Sequence, residues 1–140
     1  MELKKATAVN KDDLYSFISQ HEHLAITRDF NEKTSYVIED EGSIISWFQL
    51  EQLDSRDVWL KKLFIVQNEA LKLPNVLHSI IQFANENDIS TIYVQSKQLV
   101  TDLLLSSFSF RLQPSDCELP LQLPQQGSWW SYSFSNQHIS

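Results

Sequence analysis

A chain of 140 residues with 42% hydrophobic and 11% aromatic content has the material for one core, which excludes a disordered polymer. The formal net charge of -7 and pI near 4.9 exclude nucleic-acid backbones and anionic lipid as expected partners, because like charge repels them. The single cysteine, Cys117, cannot form an internal disulfide; flanked by Asp116 and Glu118, it reads as an inert thiol. No apolar stretch follows Met1 to Lys5 and none is long enough to span a bilayer, so the cytoplasm is the expected location. Glycine is scarce: only Gly42 and Gly127 occur, where average usage of about 7% gives roughly ten. Any phosphate cradle must therefore work almost without it.

Residues 3–9 read as a first strand. Asn10 is a good N-cap for a helix that opens with Asp12 and Asp13 and places Leu14, Phe17 and Ile18 on one face. Residues 21–32 read as a loop or a short second helix. Three strand signals follow. Residues 34–38 are β-rich and end in the turn Glu39-Asp40-Glu41-Gly42. Residues 44–50 alternate, with Ile45 and Trp47 on one face and Ile44, Phe48 and Leu50 on the other. After the turn Asp54-Ser55-Arg56-Asp57, residues 58–66 are apolar on both faces, which predicts a central strand.

The period then changes. Leu73, Val76, Leu77, Ile80, Ile81 and Ala84 form a helical stripe with Pro74 in the first turn, and Asn85-Glu86-Asn87-Asp88 ends it. Residues 89–95 read as a buried strand. Leu99, Val100, Leu103 and Leu104 mark a short helix, and Phe108-Ser109-Phe110 begins another strand. Residues 113–126, with prolines at 114, 120 and 124, read as a loop. The alternation from Trp129 to Phe134 predicts a last strand, with Trp130 in the core and Trp129 partly exposed.

The predicted fold is therefore a mixed α/β sheet of about six or seven strands flanked by three or four helices. An antiparallel meander runs into a parallel β-α-β crossover. One domain spans 1–135, and 136–140 should fray. His21-Glu22-His23 has the wrong spacing for a shared helical face and reads as surface, with no metal expected. His78 lies off its helix's apolar stripe and reads as solvated.

The element order, with Leu3-Lys4-Lys5-Ala6-Thr7, Asp12-Asp13-Leu14-Tyr15-Ser16-Phe17, Leu63-Phe64-Ile65-Val66, the run from Leu77 to Ala84 and Asp88-Ile89-Ser90-Thr91-Ile92-Tyr93-Val94, resembles the GNAT acyltransferase superfamily over roughly 1–135. Residues 103–112 sit where that family ends a helix and enters a Gly-Phe strand. The resemblance implies an N-acyltransferase that takes acetyl-CoA and a small-molecule or protein amine. It also implies possible pairing into a homodimer through the last strand.

In that family the fourth strand holds the pantetheine arm, which assigns Phe64, Ile65 and Val66. Its following loop offers backbone amides and a helix N-terminus to the pyrophosphate. The corresponding loop here is Gln67-Asn68-Glu69-Ala70-Leu71-Lys72-Leu73-Pro74. Asn68 falls at the family's arginine, and Leu71 and Leu73 fall at its glycines. Branched side chains there should crowd the pyrophosphate, while Lys72 would offer a point charge. The family's general-base glutamate falls at Lys61 or Lys62, which leaves Glu51 as the alternative base. Its tyrosine acid falls at Leu105, which leaves Ser106 or Ser107 as substitutes. The alternative reading is a non-catalytic module of the same fold that binds a protein partner or another ligand.

Overall fold

The computed structural model describes residues 1–20, 33–53, 56–96, 104–113 and 128–134. Cys117, the His21-Glu22-His23 group, the readings for 21–32, 97–103 and 114–127, and the tail 136–140 lie outside the described residues. Seven strands hydrogen-bond in the order β1-β2-β3-β4-β5-β7-β6. They are β1 Glu2–Lys5, β2 Ser35–Asp40, β3 Ser43–Gln52, β4 Asp57–Ile65, β5 Thr91–Ser96, β6 Arg111–Leu112 and β7 Ser128–Ser133. Among the described residues, two helices, α1 Lys11–Gln20 and α2 Leu73–Glu86, and a helical turn at 104–107 accompany them. The chain forms two compact units: Met1–Gln49 with Lys62–Ser79, and Leu50–Lys61 with Ile80–Ser140.

In the first unit β1 pairs antiparallel with β2, from Glu2↔Glu39 to Lys5↔Tyr36. The strand stops earlier than its sequence suggests. A 3-10 turn at Ala6–Ala8 replaces extended backbone, closed by the Val9 N–H donating to the Ala6 carbonyl at 3.3 Å. The turn lets Ala6 and Val9 both enter the core, which continued alternation would forbid. Asn10 then caps α1 as expected: its Oδ1 accepts the Asp12 N–H at 2.9 Å and the Asp13 N–H at 3.3 Å. Leu14, Phe17 and Ile18 bury against Val37 and Trp47. Each such side chain contributes about 1.5–3 kcal/mol of burial.

A two-residue turn, Glu41 (φ 52) and Gly42 (φ 83), joins β2 to β3. Positive φ at both central positions is the I′ geometry that matches strand twist, and glycine suits the second of them. The β2–β3 register then slips: Ile38 faces Ser46, yet Glu39 faces Ile44. Ile45 is the extra residue of a bulge. The bulge corrects the simple alternation, since Ile44 joins the cluster around Trp47 instead of sharing a face with Phe48. It also serves β4: the Ile45 carbonyl accepts the Val66 N–H at 2.8 Å, and the Ser46 hydroxyl donates to the Phe64 carbonyl at 2.7 Å.

In the second unit the start of β4 runs parallel to β5, from Asp57↔Thr91 to Leu60↔Val94. Strand β7 pairs antiparallel with β5 and with β6. Trp129 is 2% exposed and packs with Leu53, Trp59 and Tyr93, its ring 5.5 Å from that of Trp59 in an edge-on contact. Trp130 is only half buried. Trp129, not Trp130, is therefore the core ring, the reverse of the expectation. Alternation fixes that they face opposite sides, but which side is roomier depends on partners distant in sequence.

Helix α2 carries its predicted stripe, with Val76, Leu77, Ile80 and Ala84 buried and His78 exposed. It ends in a Schellman arrangement without glycine. Asp88 (φ 59) takes the left-handed position, the Ile89 N–H reaches the Ala84 carbonyl at 3.0 Å, and the Asp88 N–H reaches the Asn85 carbonyl at 3.4 Å. Ser109 (φ 69) repeats the device: the Phe110 N–H donates to the Leu105 carbonyl at 3.0 Å and the Ser109 N–H to the Ser106 carbonyl at 3.1 Å. Residues 108–109 are therefore a turn, and β6 begins at Arg111 rather than Phe108.

Candidate functional site

The sequence points to the segment from Phe64 to Leu73, all of it in the first unit. Its backbone leaves β4 through Val66, whose N–H is taken by Ile45. The loop that follows is not an open nest of amides. Gln67–Lys72 forms a 3-10 helix that runs straight into α2, with Leu73 in helical conformation (φ -55, ψ -41). The Glu69 N–H donates to the Val66 carbonyl at 2.8 Å, and the Leu73 N–H donates to the Ala70 carbonyl. Between them the 3-10 pattern turns each amide onto the carbonyl three residues back. Pro74 has no N–H to offer. The amides from Glu69 to Leu73 are thus turned onto the chain's own carbonyls.

Charge follows the same direction. Lys72 is not a free cation: its Nζ lies 2.5 Å from Asp40 Oδ2 and 2.9 Å from Glu69 Oε2. The hydrogen bond to Asp40, then the one to Glu69, holds its pKa above the ordinary lysine value. Asp40 is held below the usual carboxylate range, first by the hydrogen bond from Lys72, against a smaller opposing push from burial. The Met1 ammonium also lies 3.6 Å from Asp40 Oδ1, so Asp40 and Glu69 are matched by two ammonium groups and Lys72 is already engaged. Leu71 is 97% exposed and Asn68 is exposed, while Leu73 is half buried. Beside the side chains of Leu71 and Leu73, the loop has its one lysine engaged by Asp40 and Glu69.

Asp40 escaped the sequence reading because it lies 32 positions from Lys72 and was absorbed into a turn. Only the pairing of β2 with β3 brings it to the loop.

Strand β4 keeps one feature suited to an extended ligand. Phe64 and Val66 direct their carbonyl and N–H to β3, so the backbone of Leu63 and Ile65 alternates to the other edge. The register with β5 stops at Leu60↔Val94, short of them. Lys62 interrupts the strand with a left-handed backbone (φ 57), so residues on either side of it do not share one alternation.

The remaining candidates lie in the second unit. Glu51 Oε1 is 3.5 Å from Lys61 Nζ, and the same ammonium sits 4.8 Å from the Trp59 ring centre. Leu105, at the family's tyrosine position, is buried, and Ser106 is exposed with its carbonyl engaged by the Ser109 N–H.

No family model matches the sequence, and no curated protein does. Solved structures do match. An acetyltransferase of the GNAT family from Staphylococcus aureus shares 19% identity at a TM-score of 0.66, covering 94% of this chain and 98% of that one. This chain has the GNAT acetyltransferase fold. Campylobacter jejuni N-acetyltransferase PseH in complex with acetyl coenzyme A matches at 13% identity and TM-score 0.65, over 95% of this chain and 98% of that one. A Bacillus subtilis acetyltransferase in complex with CoA matches at 12% identity and TM-score 0.64, over 95% and 97%. The mixed seven-stranded sheet of the GNAT fold is therefore in place. The segment that the sequence resemblance assigns to the pyrophosphate holds Lys72 beside Asp40 and Glu69 in a 3-10 turn.

Proposed function

We propose that this chain is a GNAT-fold binding module rather than an acetyl-CoA-dependent enzyme, working in the cytoplasm on a small ligand or a protein partner. One observation carries the reading: Lys72, the cation expected to meet pyrophosphate, is held between Asp40 and Glu69 at the head of a closed 3-10 turn. The occupied base candidate and the buried leucine at the acid position support it. Calorimetry with acetyl-CoA and with CoA tests it. The expected result is no saturable heat at millimolar ligand; a saturable isotherm with acetyl transfer to any of a panel of amines would overturn it.

A second reading rests on the exposed edge of β4. Leu63 and Ile65 turn their backbone toward the side where the fold family holds its pantetheine arm. An N-acyltransferase could grip the thioester there without the pyrophosphate. Acetyl-pantetheine, which lacks the phosphates, separates the two: binding of acetyl-pantetheine but not acetyl-CoA favours this second reading.

A further inference from the structure

We propose that Trp47 and Ser35 hold a buried water molecule on the α1 face of the β2–β3 ladder, an inference that goes beyond the reading of the loop and does not depend on it. Trp47 is 2% exposed and Ser35 1%. The Trp47 Nε1 and the Ser35 Oγ are both shut off from solvent, and among the described residues neither has a hydrogen-bond partner. They do not bond to each other either. Buried polar groups in folded proteins are nearly always paired, with protein or with ordered water. The β2–β3 register brings the two orphans together. Ser35 lies opposite Gln49 and Val37 opposite Trp47, so the four side chains share one face. Ser35 and Trp47 are diagonal neighbours on it, with Cα atoms about 7–8 Å apart, a span within reach of an aromatic side chain. This face packs on α1, since Val37 and Trp47 join Leu14, Phe17 and Ile18 in one core cluster. All of these residues belong to the first unit.

The chemistry of the orphans selects the ligand. An indole N–H only donates, so Trp47 needs an acceptor. A serine hydroxyl can donate or accept. Gln49, 3% exposed and directly across from Ser35, sets a third polar side chain on the same face. A cation would meet the Trp47 donor and no carboxylate among these four side chains. An anion would meet no cation among them. An organic ligand needs a mouth, and both orphaned atoms are closed to solvent. Water suits the set. Its oxygen accepts from Trp47, and the rest of the roughly three hydrogen bonds that a buried water makes go to Ser35 and Gln49. Ser35 is the smallest of the four side chains, and the water lies beside it.

Water-to-protein nuclear Overhauser spectroscopy on the isotope-labelled full chain tests the site, with Trp47→Phe identifying the Trp47 indole signal among the four tryptophans. A cross-peak between water and the Trp47 Hε1 is expected, with the sign given by long-lived bound water. It should persist in Ser35→Ala, which removes the hydroxyl and keeps the space. It should vanish in Ser35→Val, which fills the space. No cross-peak in the unaltered protein would overturn the site. So would its loss in Ser35→Ala, which would mean that the signal was relayed through the serine hydroxyl. Persistence in Ser35→Val would place the water away from Ser35 and overturn the pairing. If Ser35→Val does not fold, the unaltered protein and Ser35→Ala still decide. Heat with acetyl-CoA bears on the loop reading alone.

Discussion

The Lys72 ammonium donates to the Asp40 carboxylate at 2.5 Å, tying the head of α2 to the end of β2 across 32 positions of sequence. The pair makes a pH-dependent contribution whose sign is fixed by the two shifts. Asp40 is lowered from 3.8, so its contribution is present above that value and is lost as pH falls through the folded pKa. Lys72 is raised from 10.5, so its contribution is present below that value and is lost as pH rises beyond it. Asp40→Asn should therefore lower the Tm by a constant amount between about pH 5 and 7. The gap should close on acidification below 3.8. A gap that persists at pH 2 would show that Asp40 acts by something other than its charge.

The same pair predicts how the loop responds to redesign. Leu71→Gly alone should leave CoA affinity unchanged, because it does not release Lys72 from Asp40 and Glu69. Asp40→Asn with Glu69→Gln removes both carboxylates around Lys72 and should bring weak, salt-sensitive CoA binding within calorimetric range. If Leu71→Gly alone restores binding, the obstacle is steric after all.

Trp129 and Trp130 should differ in energetic weight despite being neighbours. Trp129→Ala removes a buried ring from the Trp59 contact and should cost about 3–5 kcal/mol in urea unfolding. Trp130→Ala opens no comparable hole and should cost less than half as much. Equal losses would mean the half-buried ring of Trp130 carries contacts that its exposure does not suggest.

Left-handed backbone at side-chain-bearing residues invites stabilisation. Asp88 and Ser109 occupy the helix-ending position that glycine fills without Cβ strain. Asp88→Gly and Ser109→Gly should each gain about 0.5–1 kcal/mol, net of the added freedom of the unfolded chain. That corresponds to a rise in Tm of about 2–4 °C by calorimetry. A lower Tm would show that the hydroxyl or carboxylate has a role the backbone does not reveal.

Local chemistry made much of this molecule legible. Asn10 announces α1, the stripe from Val76 to Ala84 announces α2, and Glu41-Gly42 marks a tight turn, since each signal is complete within a few residues. The bulge at Ile45 was not legible, because alternation reads the same until a partner strand sets the register. Ser109 hid the start of β6, since a serine does not advertise positive φ. At the candidate site the missing glycines of the loop could be read directly. What replaces them could not, because the Asp40 contact exists only once β2 and β3 have paired.

The turn at Glu41-Gly42 has a kinetic consequence as well. It closes β2 on β3 with two loop residues, so that pairing requires almost no search. The pairing of Thr91 with Ser133 joins residues 42 apart (133 − 91) and must wait for a long loop to close. Folding should therefore run from the meander outward, with β7 docking late. Pulse-labelled hydrogen exchange would find the amides of Val37 and Trp47 protected before those of Val94 and Trp130. Until β7 arrives, β5 presents an unpaired edge, and this is the stage at which the nascent chain is most exposed to pairing with a neighbour instead of with itself.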